Sequence, residues 1–471
     1  MLTVNWWLAA GDFIRGEIMK ELKFFVITDP HYFSEKLGSF GEGYEAFMDY
    51  EQKCYAETAA INRAANEYLK NSKEADIILI AGDLSFNGEK QSHIDYSKEL
   101  KALKESGKKI FVVTAGHDIS RNPFQYNGGE RESAEGIEFK DLLTYYGEFG
   151  YNDAIAFNEE HLSYVAELSE DVRLLVICND TAEGNNKTYD DEFLKWIENQ
   201  AKKAQEDGKM MIAMEHYPVL PGQPILALIP DARQKESKKL IETLADNGVH
   251  LIFTGHMHNQ SVNVVETEKG NKFYDVCTGS LIGCPAFMRL VTIKDENTVE
   301  IKSIPVPEFQ WDKKGKTGEQ YLQDQFDRML ITLIGGMKDN PEKVLHKFGI
   351  GDKTALYKPV KFVGKILYTW SVGKIARLFF VKAHPDIKDD RFFDYLVSLV
   401  RNMFCGDQPY TEDSPFGETF LKVLKRLNPI LKIFNKKLHG AQGEELDFYE
   451  MLKHSAGNYG ISDYNAVLKL K

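Results

Sequence analysis

Three short runs of aliphatic and aromatic residues constrain this chain most: 22–28 (LKFFVIT), 76–81 (DIILIA) and 109–114 (KIFVVT). Each has the length and residue types of a buried strand. Each stops at a polar tip: Asp29-Pro30-His31, Gly82-Asp83 and His117-Asp118. Helical stretches over about 44–69 and 90–106 lie between them, and this strand–helix alternation predicts a parallel sheet with crossover helices. Sites in such sheets form at the carboxyl ends of the strands. The pattern then recurs. A strand over 173–178 and a helix over 190–204 lead to a strand over 209–214 that ends in Glu215-His216-Tyr217-Pro218. A helix over 233–247 leads to a strand over 250–254 that ends in Gly255-His256-Met257-His258. Strand patterns at about 260–266, 272–278 and 288–304 have no long helices between them and predict an antiparallel finish.

Four strand ends thus offer Asp29, His31, Asp83, His216, His256 and His258, and a fifth carries His117-Asp118. This mixed nitrogen and oxygen set, without thiolate, suits a divalent Mn, Fe, Zn or Co ion. Six candidates exceed the needs of one four-coordinate ion, whereas two ions sharing a carboxylate would use them. In an extended D-x-H or H-x-H tip, residues i and i+2 face the same side, so both reach one site. Taken singly, each piece is ordinary: a Gly-Asp pair is usually a turn, and a lone histidine is usually a hydrogen-bonded core or rim residue. Their joint occurrence at five strand ends is not ordinary.

The order D-x-H, G-D, H-D, H, G-H-x-H resembles that of the calcineurin-like metallophosphoesterases, over about residues 22–304. The resemblance implies an α/β fold of two packed mixed β-sheets flanked by helices, a four-layer sandwich. It also implies a two-metal phosphoester hydrolase, a phosphodiesterase or phosphatase of a small phosphoester. Asp29, His31 and His258 would hold the first ion, His216 and His256 the second, and Asp83 would bridge both. Two such cations acidify a bridging water to hydroxide and stabilise in-line displacement. His117 would sit at the rim and protonate the leaving oxygen or stabilise its charge, with Asp118 orienting the ring and holding it protonated. The stretch Thr278-Gly279-Ser280-Leu281 would join the substrate rim. One position departs from the motif: Gly116 stands where the family carries an asparagine ligand, which leaves the second site one protein ligand short. Gly116 is expected to supply freedom in φ to its turn. The alternative reading, a non-catalytic or regulatory binding protein on a decayed fold, rests on that glycine.

Charge divides the chain. The formal net charge of −13 splits into −18 for residues 1–304 and +5 for 305–471. The acidic part argues against nucleic acid as a partner. The expected organisation is a disordered or extraneous extension over 1–18, with Met19 as the natural start, a catalytic domain over 19–304, and a mostly helical C-terminal domain over 305–471. Asn340-Pro341-Glu342 reads as a helix start and Gly349 as its stop. Five cysteines without a C-x-x-C pair, and no secretory signal, predict a reducing, cytoplasmic setting. Lys365, Lys374 and Arg377 interrupt the apolar stretch 361–381 and exclude a membrane span. Basic, apolar stretches over 358–382 and 421–438 allow three readings: a cap over an anionic substrate, contact with an acidic membrane surface, or core-packed helices with solvated lysine faces.

Overall fold

The computed structural model of the chain describes residues 19–182, 184–185, 189–347 and 354–471. The expected extension over 1–18 and the stop at Gly349 lie outside the described residues. The chain opens with β1 (Leu22–Ile27), α1 (Glu42–Met48), α2 (Thr58–Asn71), β2 (Ile77–Ala81), α3 (Lys90–Glu105) and β3 (Lys109–Val113). A hairpin of β4 (Phe124–Asn127) and β5 (Glu130–Ser133) follows, then α4 (Leu142–Tyr146). Next come β6 (Ala156–Asn158), β7 (Ser163–Glu167), β8 (Val172–Ile177), the short β9 (Asp180–Thr181) and β10 (Gly184–Asn185), α5 (Asp191–Glu206), β11 (Met210–Glu215), α6 (Ser237–Ala245) and β12 (Leu251–Thr254). Four strands complete this part: β13 (Ser261–Glu266), β14 (Lys272–Cys277), β15 (Phe287–Ile293) and β16 (Thr298–Pro305).

Two mixed sheets result, in the orders β17-β16-β15-β1-β2-β3 and β13-β14-β12-β11-β8-β7-β6, where β17 is Asn465–Lys469. β1, β2 and β3 pair in parallel, as do β8, β11, β12 and β14. The period-two alternation of strand side chains explains the layering. Phe24 meets Phe253 of the other sheet edge-on at 5.5 Å, while its neighbour Phe25 turns to Tyr68 of α2. Leu174, Val176, Ile212 and Met214 face the first sheet. Leu175, Ile177, Met211 and Ala213 face α5 and α6 instead. Strands buried on both faces read as continuous apolar runs, which is why these runs stand out in the sequence. The expected four-layer α/β sandwich is the observed one.

Several boundaries differ from expectation for identifiable reasons. The predicted helix over 44–69 is two helices. Between them Cys54 N–H donates to the Ile282 carbonyl, and the Gln325 amide donates to the Met48 and Glu51 carbonyls, so tertiary partners take over the backbone bonds. α6 starts at Ser237 because Glu236 is left-handed (φ 52°) and Gln234 N–H is held by the Pro218 carbonyl. The hairpin β4–β5 and the strands β6 and β7 were not anticipated. The predicted antiparallel finish holds for β13–β14 and β15–β16, but β14 also pairs in parallel with β12.

The C-terminal region contains α7 (Gly318–Asp339), α8 (Pro341–Lys347), α9 (Tyr357–Thr369), α10 (Val372–Leu378), α11 (Phe392–Cys405), α12 (Pro415–Lys437) and α13 (Phe448–His454). Asn340 caps α8, its side chain accepting from Lys343 N–H at 3.1 Å. The mostly helical expectation misses one element: β17 pairs antiparallel with β16 and forms the edge of the first sheet. The buried Arg289 on β15 donates to the Asp463 carbonyl at 3.0 Å and to the Cys277 carbonyl at 2.7 Å, which ties this tail to the second sheet as well. α7 lies against 48–57 through Gln325, Arg328–Asp49 and Tyr321–Glu57. With α11 it also packs around Cys284.

Candidate metal centre

The six ligand candidates converge at the carboxyl ends of the strands. Asp29, His31 and His258 form one group, and Asp83, His216 and His256 another. Asp29 and His31 are fully buried, Asp83, His216 and His258 nearly so, and His256 is half-buried. His31 Nε2 lies 3.0 Å from His258 Nε2, 3.6 Å from Asp29 Oδ1 and 3.5 Å from Asp83 Oδ2. His258 Nε2 lies 3.2 Å from Asp29 Oδ1, and His216 Nε2 lies 3.1 Å from Asp83 Oδ2.

Backbone conformation makes this convergence possible. The tips are not extended, as the D-x-H argument assumed. Asp29, His31, Asp83, His256 and His258 all have positive φ, between 36° and 67°. Such conformations are costly for these residues and persist only where surrounding structure over-determines them. Here Asp29 N–H donates to the Gly82 carbonyl and His31 N–H to the Asp83 carbonyl, so the first two tips are zipped together. The Gly255 N–H donates to the His216 carbonyl, which joins the other two. Close approach explains two glycines. A Cβ on Gly82 would enter the His216 ring, and one on Gly255 would strike Thr28 Oγ1 and Asp29 Oδ2.

Outer partners aim the ligand atoms inward. His216 Nδ1 donates to the Ala81 carbonyl at 2.8 Å, which leaves Nε2 as the nitrogen that faces the site. His258 Nδ1 faces Gln52 Oε1 at 3.2 Å, while the Gln52 amide donates to the Cys284 carbonyl. Asp29 Oδ2 accepts from Thr28 Oγ1 and from His256 N–H at 3.0 Å. Asp29 Oδ1 and His216 Nε2 are then buried with no hydrogen-bond partner. Two buried, unpartnered atoms that face one another 4.0 Å apart call for a cation between them. The donor set fits a divalent ion at each group.

Charge in the site follows from this crowding. Burial alone would raise the Asp29 carboxyl, but His258 and His216 hold it far below the ordinary carboxylate range. Asp83 is likewise depressed despite its burial, by His216 and His117. Burial disfavours charge on His216, yet Asp83 and Asp29 hold it up to about 10, so an ion at this group would displace a proton from Nε2. Burial and the Lys53 cation push His31 well down.

His117 stands at the rim, half-buried, its ring edge-on to His31 at 4.9 Å. Its backbone N–H donates to Asp83 Oδ1 at 3.2 Å. The expected partnership with Asp118 is absent. Asp118 is fully buried, and its two oxygens accept from Ser85 N–H at 2.8 Å and Ala115 N–H at 2.9 Å. The Phe86 carbonyl holds the ring instead, at Nδ1. Burial lowers His117 to about 4, so the ring is neutral near pH 7 rather than held protonated. Asp118 braces the loop and does not touch the ring, because a short 3-10 turn over Gly116–Asp118 folds its carboxylate back onto the turn's own start.

Two other expectations change. Gly116 sits in that 3-10 turn without positive φ, so its conformation is open to any residue. The stretch 278–281 is buried behind the site: Ser280 Oγ donates to the Asp29 carbonyl at 2.8 Å, which supports the ligand from the rear rather than lining a substrate rim. Sequence reasoning missed Thr28, Gln52, the Phe86 carbonyl and Lys53, which is buried 4.4 Å over the Phe86 ring. Gln52 and Lys53 lie in what reads as mid-helix, and nothing local marks them.

Comparisons with known proteins find relatives of the chain. The metallophosphoesterase-like protein YydB of Bacillus subtilis (strain 168), described as uncharacterized, is 21% identical over 313 residues, covering 59% of this chain and 63% of that protein. The match therefore spans less than two thirds of the relative. Among solved structures, a dimetal phosphatase from Danio rerio has a TM-score of 0.44 at 12% identity, covering 61% of this chain and 98% of that one. A purple acid phosphatase from yellow lupin (Lupinus luteus) has a TM-score of 0.41 at 13% identity, covering 62% and 52%. At such values these two likenesses decide nothing by themselves. The family profile of calcineurin-like phosphoesterases matches residues 22–260, more than half of the chain and every one of the converging side chains, and the protein belongs to that family.

Proposed function

We propose that the chain is a divalent-metal-dependent phosphoester hydrolase that acts on small phosphodiesters. The observation that carries this reading is the position of Asp83 Oδ2, 3.1 Å from His216 Nε2 and 3.5 Å from His31 Nε2. One carboxylate oxygen thus stands between two triads. Asp29, His31 and His258 would hold one ion, and His216 and His256 the other, with Asp83 serving both. When bound, such ions supply Lewis acidity toward phosphoryl oxygens and a nucleophilic water at neutral pH.

The chain's own groups do the rest. Thr28, Gln52 and the Ala81 carbonyl keep the ligand atoms aimed and cost no rearrangement during turnover. His117 Nε2 makes no hydrogen bond among the described residues and is free to meet the substrate. An arriving phosphate anion raises the pKa of the ring, so His117 gains the proton it would donate to the leaving oxygen. Lys53 is the buried cation that acts on both His31 and His117. One such charge matches the single negative charge of a diester. Five cysteines without a C-x-x-C pair favour a reducing, cytoplasmic setting. No described helix is long and apolar enough to cross a membrane.

The test is Asp83→Asn, with metal content after dialysis and turnover of bis(p-nitrophenyl) phosphate against p-nitrophenyl phosphate. Turnover should fall on the order of 10³-fold or more while the fold persists. Near-normal turnover by the variant removes the shared-carboxylate reading. Gly116 favours one rival: metal binding with no turnover of any phosphoester would make this a binding protein on the same fold.

A further inference from the structure

We propose that helices α9, α10 and α12 form a docking surface for an anionic lipid bilayer. These helices enclose a groove of about 360 Å³ whose walls are almost wholly apolar, among them Ile366, Ile375, Phe379, Phe420 and Val423. Its lip is exposed rather than closed over: Val363 is 44% exposed and Leu378 56%. Beside the lip stand two aromatic rings in solvent, Phe362 at 67% and Phe380 at 89%. Exposed apolar groups in one contiguous patch mark an interaction surface.

Phe380 is held outward by the backbone. Val381 N–H donates to the Ala376 carbonyl and Phe380 N–H to the Arg377 carbonyl, which closes the end of α10. That closure places Phe380 at φ 57°, where helix ends usually carry glycine. A bulky aromatic in a strained conformation, projecting into water, contributes nothing to the protein's own packing.

Cations ring the patch. Lys358, Lys361, Lys365, Lys374, Arg377 and Lys382 are all exposed, with no acidic residue from 354 to 385. None of the six makes an ion pair among the described residues. A second cavity of about 540 Å³ opens on the other side of α10, with Arg377, Lys382 and Lys388 around Phe380. Nearby acids are partly engaged: Glu418 with Lys422, Asp386 with His384, and Asp389 with Lys388. α12 continues the pattern with exposed Ile430, Ile433 and Phe434 between Lys425, Arg426, Lys432, Lys436 and Lys437.

Apolar side chains set among unpaired cations match the acyl region and headgroups of an acidic membrane surface. The occupant is a bilayer rather than a second copy of this chain, since two such faces would repel. It is a bilayer rather than a nucleic acid, since phosphodiester backbones have no use for an apolar groove.

The experiment is co-sedimentation of the full chain with vesicles of phosphatidylcholine alone or with roughly one third phosphatidylglycerol. The anionic vesicles should bind about tenfold more protein or better, and high salt should erode the difference. Lys361→Glu with Lys365→Glu and Arg377→Glu should abolish the preference. Phe362→Ser with Phe380→Ser, at exposed positions that leave the core untouched, should weaken binding about tenfold while the salt dependence remains. Metal content and circular dichroism report that each variant is folded. Four results overturn the proposal: no binding to anionic vesicles, equal binding to neutral ones, binding unchanged in both variants, or Phe380-dependent self-association in place of lipid binding. Binding to a single-stranded oligonucleotide but not to vesicles would assign the cations to nucleic acid instead.

Discussion

Glu89 offers a quantitative test of how the core handles charge beside the site. It is fully buried at the start of α3. One carboxylate oxygen accepts from Asn87 N–H at 2.8 Å, and the other has no partner. Burial raises its pKa from 4.5 to about 7, and hydrogen bonds from nearby backbone only partly oppose this. The folded state therefore binds the proton more tightly than the unfolded chain. Its contribution to stability is fully present below pH 4.5 and is lost as pH rises through 7. The full difference is about 3 kcal/mol. Glu89→Gln keeps the shape and removes the ionisation. Urea unfolding of both proteins, stripped of metal, should give similar stabilities at pH 5. At pH 8 the variant should be more stable by up to about 3 kcal/mol. A gap between the two proteins that is the same at both pH values would show that Glu89 does not titrate in this window, and that the burial argument is wrong.

Gly255→Ala should displace the Asp29 carboxylate, because the added methyl meets Thr28 Oγ1 and Asp29 Oδ2. Metal affinity should fall about 10- to 100-fold, and normal metal content after dialysis would refute this. His117→Ala should leave metal content unchanged and slow phosphodiesters with poor leaving groups by about 10²- to 10⁴-fold, with little effect on good ones. An equal loss for both classes would remove the acid role. Gly116→Asn should be tolerated by the 3-10 turn and should tighten the more weakly held ion. If titration shows two equally tight ions in the natural protein, unchanged in the variant, Gly116 leaves no deficit.

The candidate ligand set is legible in the chain because each member sits at the end of a strand that is apolar on both faces. Such runs declare themselves, and a parallel sheet sends their carboxyl ends to one edge. Asp29, His31, Asp83, His216, His256 and His258 could therefore be named without knowing a single contact. The amino-terminal parallel order and the sandwich follow from the same alternation, visible in Phe24 and Phe25. What local sequence does not carry is whatever depends on a partner far along the chain. The left-handed backbone at five candidate ligands comes from hydrogen bonds between tips, such as His31 to Asp83. The break after Met48, which delivers Gln52 to His258, is made by Gln325 and Ile282, more than 200 residues away. His117 and Asp118 are adjacent in sequence, yet the turn parts them: the ring goes to the Phe86 carbonyl and the carboxylate to backbone amides. The short NAVLK run of β17 becomes a strand only because β16 supplies an edge with unpaired backbone groups to receive it. Periodicity reports which face of an element is buried, but only the assembled fold decides which distant group completes its hydrogen bonds.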